Sequence, residues 1–124
     1  MNFSLNKKNL NEIINIVHKE IRKKLNLFLR KNKNKKVVIL DIPLLIENKL
    51  FNRKDILVFV DSKKKDIDKK IIKRSNYNKK VINMFKKIQL SPAYKKKKSQ
   101  FIIKNSFTKN SVKKEIKKIL KEII

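Results

Sequence analysis

Three absences narrow the field before any motif is considered. The 124-residue chain has no cysteine, so neither a disulfide framework nor a thiolate metal site can form. It has no glycine, so no phosphate-cradling loop of the Walker or dinucleotide type exists within these residues. A single histidine leaves no histidine cluster for a transition metal. Acidic residues are also scarce, 10 against 36 Lys+Arg, for a net charge of +26. No apolar run approaches the roughly 20 residues of a membrane span, and the first residues lack the apolar stretch of a signal peptide. The expectation is a cytoplasmic chain with no membrane partner.

A hydrophobic share of 40% is enough to build a core, and the length suits one domain or a piece of one. The charge would attract polyanions without specificity and in a salt-dependent way. Lysine supplies nearly all of it, since the arginines are only Arg22, Arg30, Arg53 and Arg74. Lysine, asparagine and isoleucine dominate together, as codon use in an AT-rich genome would impose on any protein. Dedicated nucleic-acid binders add arginine forks and aromatic stacking platforms. Composition therefore accounts for the charge more simply than a nucleic-acid partner does. A small lysine-rich nucleic-acid-binding protein stands as the alternative.

Along the chain, Leu10, Ile13, Ile14, Val17, Ile21, Leu25, Phe28 and Leu29 recur at three- and four-residue spacing. This predicts an amphipathic helix over 9–31, with Asn9 or Asn11 as N-cap. "VVILDI" (37–42) is short, β-branched and unalternating, which predicts a strand buried on both faces of a parallel sheet. Pro43 should end it near Ile42, because proline donates nothing to a ladder. "DILVFVD" (55–61) predicts a second such strand, completing a core region over 37–61. A helical region follows over 62–99, its first helix capped by Ser62. A third strand, "QFIIKN", and a C-terminal helix fill 100–124. Strands alternating with helices predict an α/β layer, though three short strands make a thin sheet.

Ligands of open α/β sheets bind beyond the carboxyl ends of the strands, where Asp41 falls. Such a carboxylate either holds magnesium through water or merely caps the following turn. The surrounding block, "LDIPLLIENKLF", resembles the hallmark of dephospho-coenzyme A kinases, and the similarity runs along nearly the whole chain. "INIVHKEIR" matches that family's Ile-x-His-Pro-x-x-Arg pattern with His18 and Arg22, Lys19 replacing the proline. Asp41, Pro43, Leu44, Leu45 and Glu47 match Asp-x-Pro-Leu-Leu-x-Glu. "ILVFVD" follows, then a helix ending in Lys73 and Arg74, a lid glutamine at Gln89, and a final Asn at Asn105. Phe85 stands where the family often has a second lid arginine, and Gln100 and Lys104 replace its usual aspartates.

The resemblance implies transfer of the γ-phosphate of ATP to the ribose 3′-hydroxyl of dephospho-coenzyme A, with Mg2+, as the last step of coenzyme A synthesis. It implies acceptor contacts at His18, Arg22, Pro43 and Leu44. It further places Asp41 near the phosphates and magnesium, Arg74 in the lid against the transferring phosphoryl, and Asn105 beside the adenine. The family's opening strand, Gly-x-x-x-x-Gly-Lys-Ser/Thr loop and general-base aspartate have no counterpart here. The expected fold is therefore α/β, an incomplete P-loop kinase-like parallel sheet flanked by helices and lacking the P-loop strand. That strand would lie between the two matching "VVILDI" and "DILVFV". The chain is accordingly expected to be the C-terminal two-thirds of such a kinase: a truncated product, a half of a split gene completed by a separately encoded P-loop half, or a mis-started frame. Little or no kinase activity is expected of it alone.

Overall fold

A computed structural model describes residues 7–124. Among them are five helices and two strands: α1 Lys7–Lys31, β1 Val58–Asp61, α2 Lys64–Ile72, α3 Lys79–Ile88, α4 Pro92–Lys98, β2 Phe101–Lys104 and α5 Lys109–Ile123. They fall into two compact units, one running to Pro43 and the other Leu44–Ile124. The fold is mixed α/β with a two-stranded parallel sheet, consistent with a kinase-like fold.

In the first unit, Leu10, Ile14, His18, Ile21, Leu25 and Leu29 form a half-buried stripe on α1. Their three- and four-residue spacing is that of one helix face. The helix already includes Asn9, so neither Asn9 nor Asn11 is its N-cap; lysine is a good helix former, and Lys7 and Lys8 extend the helix past them. Asn32 closes the other end, its amide and its side-chain Nδ2 both donating to the Phe28 carbonyl, at 3.1 and 2.9 Å. The segment 37–42 is not the expected strand. Its burial alternates, with Val38, Leu40 and Ile42 half-buried and Ile39 81% exposed, yet it joins no ladder. An apolar extended stretch becomes a sheet strand only when a neighbour satisfies its amides and carbonyls. Among the described residues, β1 and β2 pair only with each other.

In the second unit, β1 and β2 run parallel with Val58 opposite Phe101 and Asp61 opposite Lys104. β1 starts at Val58 rather than Asp55, because Gln100 replaces the ladder at the strand's entrance. Its Oε1 accepts the Leu57 amide at 2.7 Å, and its own amide donates to the Leu57 carbonyl at 2.9 Å. Side-chain alternation puts Val58, Val60, Phe101 and Ile103 on one face and Phe59, Asp61, Ile102 and Lys104 on the other. α5 packs along β2. Leu50, Leu57 and Ile103, at 4%, 6% and 8% exposure, are the buried core of the described residues.

The edge of β1 away from β2 is open. The Leu57 and Asp61 carbonyls face β2, accepting from Phe101 and Asn105, so Val58 and Val60 point their main-chain groups the other way. No described strand meets them, and the Val60 side chain is 54% exposed.

Capping is local. Asn78 Oδ1 accepts from the Val81 amide at the start of α3, and Ser91 Oγ from the Tyr94 amide at the start of α4, where Pro92 occupies the first turn. The N-cap of α2 is Lys63 without a side-chain bond, so Ser62 is not the expected cap; it sits one residue too early.

Candidate active site

The carboxyl ends of the two strands are tied together by the Asn105 amide, which donates to the Asp61 carbonyl at 2.8 Å. Asn105 then turns the chain with its own side chain. Its Oδ1 accepts the Phe107 amide at 2.8 Å, and Phe107 adopts φ 61°. Beside this junction, Lys96 Nζ lies 2.7 Å from Asp61 Oδ2 and 5.8 Å from the centroid of the Phe59 ring. The strand end thus carries a carboxylate, an ammonium and an amide side chain within one small region.

The segment after Pro43 forms a single helical turn with a specific stop. The Asn48 amide donates to the Leu44 carbonyl, the Lys49 amide to Ile46, and the Leu50 amide to Leu45, at 3.0, 3.2 and 3.0 Å. The last two bonds are the Schellman pair, and Lys49, at φ 50°, holds the left-handed position that glycine ordinarily fills. Leu50, the residue after it, is among the buried core. A chain without glycine has no other option than to put a side chain there. Leu44 also adopts a positive φ, 54°, at the start of the turn.

This turn presents Glu47. Its Oε2 lies 2.9 Å from Lys95 Nζ and accepts the Leu90 amide at 3.2 Å. The Glu47 side chain is 6% exposed. Burial alone would push its carboxyl up. The hydrogen bonds from Lys95, from its own amide and from Leu90, with the charge on Lys95, outweigh that and hold it below the usual glutamate range.

The residues singled out from sequence divide between the two units. His18 and Arg22 stand one turn apart on α1, His18 half-buried within the apolar stripe and Arg22 exposed. Asp41 and Pro43 are exposed at the end of the irregular segment. Leu44, Arg74 and Asn105 belong to the second unit. Arg74 follows α2 in an exposed turn, its carbonyl accepting from Tyr77, and its guanidinium forms no ion pair with any described residue. No group of three or more His, Asp or Glu gathers among the described residues, so they build no all-protein metal cage. A lone exposed carboxylate such as Asp41 suits a magnesium ion held mainly by water and phosphate oxygens. No described helix is long and apolar enough to cross a membrane.

Sequence reasoning left four contributors without a role. Glu47 was matched to a motif but given no partner, because Lys95 and Leu90 lie more than 40 residues away. Lys95 and Lys96 read as part of a uniform basic run, whereas each meets a different carboxylate. Gln100, a departure from the family pattern, anchors the entrance of β1.

Comparison with known proteins agrees with the motif order. A family model for dephospho-CoA kinase matches residues 3–111. The dephospho-CoA kinase of Wolbachia pipientis wMel is 32% identical over 114 residues, covering 90% of this chain and 58% of the relative. That of the Wolbachia of Brugia malayi (strain TRS) is 27% identical over the same shares, and that of Rickettsia conorii 30% identical over 88% of this chain and 57% of the relative. The chain thus spans somewhat more than half the length of the curated relatives it matches. With ordered motifs and a match across most of its residues, this chain belongs to the dephospho-CoA kinase family.

Proposed function

We propose that this chain supplies the acceptor side, the lid and the nucleotide-base edge of a dephospho-CoA kinase site. The reaction passes the γ-phosphoryl of ATP to the ribose 3′-hydroxyl of dephospho-coenzyme A. The observation that carries the reading is the family match over residues 3–111; on this reading His18, Arg22, Asp41, Pro43, Leu44, Arg74 and Asn105 take the motif positions. Phosphoryl transfer is mainly positioning and charge neutralisation, so the residue types fit their parts. Arg74, exposed and without a carboxylate partner among the described residues, is available to a phosphoryl oxygen. His18 and Arg22, one turn apart, can meet the acceptor from one helix. Asp41 would hold magnesium through water, and the ion would supply positive charge against the phosphates. Asn105, already committed through Oδ1 to its own turn, offers a fixed edge to the base.

These residues contain no glycine loop to cradle a triphosphate, and we propose that a P-loop segment completes the site. The open edge of β1 supports this second part, since Val58 and Val60 offer main-chain groups and apolar side chains to a further parallel strand. On the same reading we assign the whole enzyme to the cytoplasm.

The test is coenzyme A formation by the chain alone and after addition of the part of the Wolbachia pipientis relative that this chain does not match. Turnover on mixing and little or none beforehand is the expected result. Robust turnover by the chain alone would refute the need for a P-loop segment. No turnover on mixing, together with no dephospho-coenzyme A binding by calorimetry, would refute the kinase reading itself. In that event, retention on duplex DNA that falls steeply with salt would point to the basic-protein alternative.

A further inference from the structure

Acidic residues are outnumbered 36 to 10 by Lys+Arg, yet one of them is withdrawn from solvent and given two specific donors from a distant segment. Of the four ion pairs among the described residues, Glu47–Lys95 is the most enclosed, with side-chain exposures of 6% and 21%. The other three leave each partner at least about a third open and contribute little in water. Glu47 Oε2 is shared by Lys95 Nζ and the Leu90 amide, groups that flank the start of α4.

Their position is what gives the pair a consequence. The helical excursion of α2 and α3 leaves the sheet at Asp61 and ends at Leu90, just past the α3 C-cap Gln89 and before α4. On α4, Lys96 lies 2.7 Å from Asp61 at the departure root, while the adjacent Lys95 meets Glu47, the carboxylate that also holds Leu90 at the return root. Consecutive helical residues point about 100° apart, which lets one short helix reach two elements. The return root rests on Glu47, presented rigidly by the Schellman turn that ends at Lys49 and Leu50. The departure root, Asp61, is held by the ladder itself, its carbonyl accepting from the Asn105 amide. The excursion thus has one root held by the sheet and one held only through the Glu47 side chain, the arrangement of a hinged flap.

We propose that Glu47 is a positioning residue that fixes the hinge of the 62–89 excursion by clamping Leu90 and Lys95 to the 44–50 turn. The proposal rests on the reading of that excursion as the kinase lid, and it names the residue that sets where the lid pivots. Glu47 touches no reacting atom; it acts through Leu90 and α4. Its substitution should free the return root while the sheet stays intact, because β1 and β2 are held by their own ladder and by Gln100.

Hydrogen exchange on the full chain tests this, using Glu47→Gln, Lys95→Met and the double variant. Glu47→Gln should speed exchange at the Leu90 amide about tenfold, the order expected for losing a hydrogen bond to a charged acceptor. Faster exchange should extend into α3 but not to the amides of Phe59 or Ile103 in the sheet. Lys95→Met should act in the same region, and the double variant should cost less than the sum of the two, as for residues that share one interaction. Unchanged Leu90 exchange in Glu47→Gln overturns the proposal. Loss of protection spread equally over the sheet also overturns it, since that marks a general structural role. The same samples with ATP and dephospho-coenzyme A address the kinase reading separately. If the variants loosen Leu90 and α3 but neither nucleotide alters exchange over 62–89, the clamp stands and the lid assignment fails.

Discussion

Lys49 occupies a backbone position that suits glycine, and replacing it should stabilise the turn that displays Glu47. With φ at 50° and its amide donating to Ile46, Lys49 holds the left-handed position of a Schellman motif. For a residue with a Cβ this conformation costs about 1–2 kcal/mol. Glycine removes that cost but adds unfolded-state freedom worth about 0.4–1 kcal/mol. Lys49→Gly should therefore stabilise the turn by about 0.5–1 kcal/mol, provided the lysine side chain contributes nothing itself. It is exposed and forms no ion pair with a described residue, so Lys49→Ala should stay within about 0.5 kcal/mol of wild type. Lys49→Val should destabilise, because a β-branched side chain fits positive φ worst. The assay is exchange at the Leu50 amide, which donates to Leu45 across the motif. About two- to fivefold slower exchange in the glycine variant corresponds to the predicted gain. Protection in Lys49→Gly equal to or below that in Lys49→Ala would refute the reasoning, since the left-handed conformation would then carry no strain to relieve.

Three other outcomes follow from the same structure. Leu57→Ala should destabilise the second unit by about 2–3 kcal/mol, at the lower end of core truncations because few buried neighbours surround it, as checked by urea unfolding followed by circular dichroism. Glu47 has a carboxyl pKa lowered by folding, so its contribution is present above the pKa of an unfolded glutamate and is lost as pH falls through the lowered folded value. Leu90 protection should hold at neutral pH and fall in acid below the ordinary glutamate range, and Glu47→Gln should abolish that fall. Arg74→Ala should leave stability within about 0.5 kcal/mol, yet abolish most turnover of the reconstituted enzyme, with Arg74→Lys restoring only part because a lysine cannot present the guanidinium fork.

The sequence by itself determined the family and most of the elements. Apolar spacing located α1, and the order of His18, Asp41, Glu47, Arg74 and Asn105 carried the resemblance to the kinase family. Such features are local, carried by spacing along one stretch, and so they are legible without a fold. The strand expected at 37–42 was legible only as a preference. Whether an apolar segment becomes a strand depends on a neighbour that satisfies its backbone, and among the described residues β1 and β2 satisfy only each other. Only the tertiary structure decided which lysines in a uniform run matter, because Lys95 and Lys96 owe their partners to chain returning across more than 30 residues. It likewise decided that Gln100 starts β1 and that Glu47 grips Leu90. Ion pairs and side-chain ladders between distant segments leave no periodic trace in sequence; they exist only once burial and chain direction bring the two ends together.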